Sequence, residues 1–328
     1  MAEQNILEAI RSAMDEEMER DERVMILGED VGKKGGVFGA TDGLWAKYGD
    51  KRVLDTPLSE GLIAGAAAGA ALYGLRPIAE MQFADFVYPG FNQIVSEISR
   101  FRYRSNGTFG VPLVIRMPYG GGVHGALYHS QSNEGYFTST VGLKVVAPGT
   151  PADAKGLLKA SIRDPDPVMF FEHKKTYRLF KAEVPDDDRV VEIGKADVAR
   201  SGKDLSIYCY GYMRFCALEA AETLAREDGV EAEVVDLRTL RPLDTDTILA
   251  SVARTGKALV VHEANRFGGF GGEVAAIIAE LGFEHLDGPV TRLAGPDVPG
   301  VPFHHSLEDW FMIGPERIVE AARTLAAY

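Results

Sequence analysis

Ile6, Ala9, Ile10, Ala13 and Met14 recur on one side of a 3.6-residue period with acids opposite, which predicts a helix over 4–20. VMILGED (24–30) is a short apolar run closing in glycine and acids, the pattern of a strand. GKKGGVFGATDGL (32–44) carries five glycines and predicts a loop. RVLDTP (52–57) predicts a strand, and Pro57 and Ser59 suit the start of a helix from Glu60. RPIAEMQFADF (76–86) predicts a strand and loop. Phe91, Ile94, Val95, Ile98 and Phe101 lie at helical spacing within Pro89 to Arg104. VPLVIRMP (111–118) is a wholly apolar strand before the loop YGGGVHGALYHSQS (119–132). A strand at LKVVAPG (143–149), a helix at 151–163 and a strand at PVMFFEH (167–173) follow.

KAEVPDDDRVVE (181–192) breaks the pattern and predicts a linker. The alternation then resumes. Strands at DLSIYCYG, EAEVVDLR, KALVVHEA and PVTRLAG are interleaved with helices at 213–228, 244–254, 271–281 and near 315–326. Apolar strands alternating with helices imply mostly parallel sheets covered on both faces. The expected fold class is therefore α/β, as two three-layer α/β/α domains over 1–185 and 186–328. Such sheets place ligands at the carboxyl ends of their strands. Glu29, Glu60, Gln82 and His129 all follow strand signals and are expected at that edge.

The chain has 328 residues, enough for about two domains. Its 35 basic and 48 acidic residues give a net charge of −13 with no long basic cluster, which argues against a nucleic-acid partner. Cys209 and Cys216 match neither CxxC nor a zinc set and are expected as reduced structural thiols. The N-terminus lacks the composition of a signal or transit peptide. Gly61 to Leu75 is too short and too rich in Gly and Ala to span a bilayer. A cytoplasmic protein without a membrane partner is expected.

LDTPLSEGLIAGAAAGAALYG (54–74) sets one carboxylate, Glu60, before an uncharged run of Gly, Ala and a few aliphatics. Gly61, Gly65 and Gly69 recur at i+4, leaving one helix face as bare backbone. Glycine is unfavourable in a helix by up to ~1 kcal/mol against alanine, so tertiary or subunit packing must compensate. Glu60 is open to two readings: an acid favoured by the helix dipole, or a carboxylic acid at a dry site. GGGVHG (120–125) satisfies G-x-G-x-x-G, but no amphipathic helix follows and no acid stands about 20 positions on, so nucleotide binding is rejected. His129 lies in a polar, glycine-flanked cluster, and His124 nearby has no paired acid at metal-ligand spacing. The other histidines have no comparable context.

GEDVG (28–32), GGVFGAT (35–41), DTPLSE (55–60), RPIAEMQFADF (76–86), RYRS (102–105), HGALYHSQS (124–132), GLKVVAPGTPADAKGLL (142–158) and DLRTLRPLD (236–244) occur in one order. Together they closely resemble the E1 β subunits of the thiamine-diphosphate-dependent 2-oxoacid dehydrogenases. HGALYHSQS looks most like the branched-chain type; DLRTLRPLD is shared with pyruvate dehydrogenase β subunits. The resemblance implies a transketolase-like pyrimidine-binding domain followed by a transketolase C-terminal-like domain.

It also implies roles. Glu60 matches the glutamate that hydrogen-bonds N1′ of the cofactor's aminopyrimidine. Leu58, Ser59, Gln82 and Phe86 match further cofactor-pocket positions, with Phe86 against the ring. Glu29 matches a polar position that orients Glu60. His129 matches the histidine at the lipoyl entrance, and Phe86, Val87, Tyr88 and Pro89 border the substrate. A structural potassium site is implied at Val111, Leu113, Ser161, Asp164 and Asp166, although the usual Asn is Asp166 and a common Thr is Val114. Relatives often have a second histidine in a stretch like FAHCPG; here FTSTVG (137–142) puts Ser139 there, and no role is carried over.

The chain has no GDG or NN segment, so Mg²⁺ and the diphosphate are expected on an α subunit that shares the cofactor. The implied assembly is an α2β2 heterotetramer serving a lipoyl-bearing E2 acyltransferase and a small 2-oxoacid. The alternatives are the C-terminal half of a split transketolase and a non-catalytic Rossmann-like binding protein.

Overall fold

A computed structural model describes residues 2–328, which fall into two units: residues 2–119 with 136–193, and residues 120–135 with 194–328. The 120–135 loop groups with the later residues.

In the first unit, β1 (Val24–Gly28), β2 (Val53–Asp55), β3 (Arg76–Glu80), β4 (Val114–Tyr119), β5 (Lys144–Val146) and β6 (Val168–His173) lie in the order β5-β6-β4-β3-β1-β2. Every pairing among them is parallel. Successive residues of a strand face opposite sides of a sheet. All six residues of β4 and all six of β6 are buried, so both faces of the sheet are covered. Helix α1 (Ile6–Arg20) contributes Ile6, Ile10 and Met14 to the core. It starts in a capping box, Asn5 Oδ1 accepting from Glu8 N at 2.9 Å and Glu8 Oε2 accepting from Asn5 N at 2.8 Å. Between α2 (Glu60–Leu72) and β3 the chain crosses to the other side of β1.

One charged group sits inside this sheet. Arg116 on β4 donates to both oxygens of Glu172 on β6, at 2.6 and 2.9 Å, and to Glu80 on β3 at 2.8 Å. Tyr177 Oη donates to Glu172 at 2.6 Å. All four side chains are buried. Burial pushes the Glu80 pKa up, opposed by Arg116.

The structure corrects two expectations. Residues 89–104 are not one α-helix but short turns around a wider π-turn at Gln93–Glu97. Ser99 Oγ donates to the Val95 carbonyl at 2.8 Å, and a Cβ on Gly142 would lie 2.0 Å from the Ser99 carbonyl oxygen. A side-chain bond and a close neighbour thus disturb the regular ladder. The stretch 181–192 is not a free linker either. Ala182–Val184 pairs antiparallel with Ala2–Gln4, and Asp188 meets Arg163 and Lys159 of α3 (Pro151–Arg163). Asp188 is thus matched to a basic helix face 25 positions earlier.

The second unit has β7 (Asp197–Arg200), β8 (Leu205–Cys209), β9 (Ala232–Asp236), β10 (Ala258–Asn265) and β11 (Thr291–Gly295) in the order β11-β10-β8-β9-β7. Only the edge strand β7 runs antiparallel. Helices α4 (Met213–Asp228), α5 (Thr245–Thr255), α6 (Gly271–Leu281), α7 (His305–Phe311) and α8 (Pro315–Ala326) complete it. Ile207, Val234 and Val261 pack with Ala217 and Leu224 of α4 and Ile318 and Leu325 of α8. No helix among the described residues is long and apolar enough to cross a membrane.

Arg116→Met should leave Glu80 and Glu172 buried without their counter-charge and destabilise the protein by about 3–5 kcal/mol. Urea unfolding at neutral pH measures this; an unchanged midpoint would show that the triad contributes nothing.

Candidate active site

The order β3-β1-β2 sets the carboxyl ends of three neighbouring strands together. The chain leaves β1 toward β2 and leaves β3 toward β4, in opposite directions, so a topological switch point opens between β1 and β3. Glu29 follows β1 and Gln82 follows β3, and Gln82 Nε2 reaches the Glu29 carbonyl at 3.5 Å. Asp55, closing β2, accepts from Gly32 N at 2.6 Å, and Thr56 N donates to the Gly28 carbonyl at 2.9 Å. These bonds tie the turns after β1 and β2 to each other.

Glu60, half-buried, opens α2, with Ser59 as its extended N-cap. Burial raises the Glu29 pKa first, then the negative charges of Asp30 and Glu60. Two acids thus face one edge, and the Glu60 charge adds to the upward shift of Glu29. Leu58, just before them, is 72% exposed.

The small residues of α2 have a visible consequence. A Cβ on Gly61 would stand 3.2 Å from the Pro89 carbonyl oxygen, and one on Gly90 would stand 2.9 Å from the Glu60 carbonyl oxygen. The first turn of α2 therefore rests on the backbone at 89–90, which brings Pro89 beside Glu60. A Cβ on Gly69 would meet nothing within 4 Å beyond its own helix. Phe86 closes a turn over Ala84–Phe86 and meets Phe83 edge-on at 5.3 Å. Val87 is buried, and Tyr88 is partly exposed with its ring 6.2 Å from that of Tyr136. Glu29, Glu60, Gln82, Phe86 and Pro89 thus belong to one edge of the first unit.

His129 belongs to the second unit, on the loop 120–135. This loop is held by acids that no local pattern announces. Glu263 on β10 accepts from Gly121 N at 2.7 Å and from Ser132 Oγ at 3.0 Å. Glu308 on α7 accepts from Gly122 N at 2.9 Å and from His124 N at 3.2 Å, and His124 Nδ1 lies against its other oxygen. The glycine N–H groups that a dinucleotide fingerprint would turn to a pyrophosphate are here taken by carboxylates, which supports the rejection of nucleotide binding. Sequence reasoning missed both acids. Only Glu263 left a signal, a carboxylate within the apolar run KALVVHEAN.

Ser161 donates to the Leu157 carbonyl at 2.6 Å, and the Leu113 carbonyl accepts from Val168 N at 2.9 Å. Val111 and Leu113 are buried. Asp164 takes the Lys144 ammonium on both oxygens, at 2.7 and 2.6 Å, and Asp166 pairs with Arg102. This loop, expected to hold potassium, is charge-balanced by side chains alone.

Glu134 is a further buried acid in the second unit, accepting from Tyr210 Oη at 2.5 Å. Burial pushes its pKa up to about 7; the Tyr210 bond opposes this and the Glu263 charge adds to it. With the folded pKa above the ordinary 4.5, the folded state binds more protons between those values, so stability falls as pH rises through that window. Glu134→Gln removes this term. From pH 4.5 to 7 the variant should gain on the parent by roughly 3 kcal/mol. Urea unfolding across that range measures it, and two parallel stability curves would refute the buried protonated carboxyl.

The family described as transketolase, pyrimidine binding domain, matches residues 2–181, and that described as transketolase, C-terminal domain, matches residues 194–318. The chain is 56% identical to the 2-oxoisovalerate dehydrogenase subunit beta of Bacillus subtilis (strain 168), over the whole of both chains. It is 47% identical to the pyruvate dehydrogenase E1 component subunit beta of the same organism, again over the whole of both. A 2-oxoisovalerate dehydrogenase subunit beta of Pseudomonas aeruginosa is 45% identical over 95% of this chain and 92% of that one. A solved chain described as a split gene transketolase, inactive beta4 tetramer, shares the fold with a TM-score of 0.80 at 24% identity, covering 99% of each. With both domain families in order and these identities over the full length, the chain belongs to the E1 β subunits of the 2-oxoacid dehydrogenases, on the transketolase-like two-domain α/β fold.

Proposed function

We propose that this chain joins an α subunit in an α2β2 enzyme that decarboxylates a 2-oxoacid and acylates the lipoyl group of an E2 partner. The observation that carries this is the placing of Glu29, Glu60 and Gln82 at neighbouring strand ends beside the switch point of the first sheet. A carboxyl group, an amide and the half-buried ring of Phe86 fit a flat heteroaromatic ring with a nitrogen and an exocyclic amine. That donor set suits the aminopyrimidine half of thiamine diphosphate, which supplies a nucleophilic carbon and an electron sink when bound. Glu60 is assigned to hold and exchange the proton at the ring nitrogen. Glu29 keeps Glu60 oriented, and burial with the nearby acids raises the Glu29 pKa. Phe86 and Val87 keep the reacting edge dry, and Tyr88 and Pro89 border the substrate.

The chain contains no GDG or NN pair, so Mg²⁺ and the diphosphate are assigned to the α subunit. In the loop implied for potassium, Lys144 and Arg102 already answer Asp164 and Asp166. A branched-chain 2-oxoacid is preferred over pyruvate as substrate, supported by 56% against 47% identity to the two Bacillus subtilis relatives. The buried, reduced thiols Cys209 and Cys216 fit a reducing compartment and support a cytoplasmic location. His129 is assigned to the lipoyl entrance, where it orients or protonates a dithiolane sulfur during acyl transfer.

Two variants test these roles in enzyme reconstituted with the α subunit. Glu60→Gln should fold with an unchanged melting temperature and lose activity by about 10²–10⁴-fold, because an amide cannot exchange the proton. Wild-type hydrogen exchange at C2 of the bound cofactor would remove Glu60 from this role. His129→Ala should lose lipoyl-domain acylation more steeply than decarboxylation measured with an artificial electron acceptor. Equal losses in both assays would count against a lipoyl-specific role.

A further inference from the structure

The loop that carries His129 holds an unusual backbone. His124 and Ala126 both have positive φ, 58° and 55°, the left-handed region that residues with a Cβ enter at a cost. Such a conformation lasts only where the surroundings over-determine it. Here they do so from one side. Glu308, 1% exposed, takes the N–H groups of Gly122 and His124 on one oxygen and meets the His124 ring with the other. The ring of His305, next to it on α7, stands 4.0 Å from that of His124.

The held corner bears directly on His129. A Cβ on Gly125 would lie 2.7 Å from the His129 carbonyl oxygen and 2.8 Å from Ser130 Oγ. His129 N itself donates to the Ala126 carbonyl at 3.4 Å. The neck of the loop is fixed separately, by Glu263 on Gly121 and Ser132 and by Gly120 N on the Gln131 carbonyl at 3.0 Å. A shift at 122–126 therefore bears directly on His129, through Gly125 against its carbonyl and through the bond from its N–H to Ala126.

We propose that Glu308 is a positioning residue for acyl transfer: by fixing the backbone of 122–126 it sets the seat of His129. This rests on the assignment of His129 to the lipoyl entrance. The carboxylate is needed as an acceptor for two N–H groups, and an amide oxygen can do the same. Glu308→Gln should therefore keep most of the function that Glu308→Ala loses.

The test uses both variants, reconstituted with the α subunit, alone and in a His129→Ala background. In Glu308→Ala, amide hydrogen exchange across 120–131 should quicken, and acylation of a lipoyl domain should fall about 10–100-fold, the loss expected of a group misplaced by about 1 Å. Decarboxylation with an artificial acceptor should fall far less, and Glu308→Gln should stay close to the parent in every readout. In the His129→Ala background, Glu308→Ala should cause no further loss of acylation, because both act through one group. Unchanged exchange in Glu308→Ala would overturn the anchoring. Faster exchange with equal losses in both half-reactions, or with additive losses in the double variant, would overturn the positioning role. If His129→Ala itself spares acylation, the assignment of His129 fails; if it does not and Glu308→Ala does, only the present proposal fails.

Discussion

A parallel strand covered on both faces admits charge between its ends only where a neighbouring group answers it. In β4, β6, β8 and β9 every residue is buried, so an ionised side chain within them must be fully neutralised or excluded. Arg116 shows the first outcome. It is admitted to the middle of the first sheet because Glu80 and Glu172 lie on the strands to either side, and Tyr177 fills a remaining acceptor. The exposed chemistry follows the second outcome. Glu29, Glu60 and Gln82 stand just past the carboxyl ends of β1, β2 and β3, the first places where a polar group can face a ligand.

Close backbone approach then decides how these ends are held. The first turn of α2 lies on the backbone at 89–90, and side chains at Gly61 or Gly90 would separate them. This gives the run of Gly and Ala after Glu60 a local purpose: the helix that carries the acid and the segment that follows Phe86 are one packed piece. Glycine's unfavourable helix propensity is offset by that packing, as propensity is a weak term beside tertiary contact. A Cβ on Gly69, by contrast, would meet no such partner among the described residues.

In the second unit, buried acids take the part that close backbone packing takes in the first. The glycine loop after β4 exposes N–H groups in series, a shape that suits an anion. Glu263 and Glu308 answer those groups from within the same chain. The result is a loop whose tip and neck are fixed independently, with His129 between them. A motif that resembles a nucleotide fingerprint thus becomes a rigid support for one histidine.

The alternation of apolar strands and helices, the carboxyl-edge position of Glu60 and the family were all legible in the residues. Each depends on local periodicity or on short ordered motifs, and a residue's place on a strand or helix face follows from its neighbours in sequence. The capping box at Asn5 and the strand-end acids belong to the same local chemistry. What lay out of reach were partners set by distance along the chain. Gly121 and Glu263 are 142 positions apart, and Gly122 and Glu308 are 186 apart. The acids at 186–188 look like a solvated linker until the basic face of α3 is brought to Asp188, and residues 89–104 look like one helix until Ser99 and Gly142 disturb the ladder. The sequence by itself determined which elements form and which acid stands at the sheet edge, because those follow from local backbone geometry and apolar periodicity. Only the tertiary structure decided which buried charges are answered and what holds His129, because those depend on which distant segments the packing of apolar faces carries together.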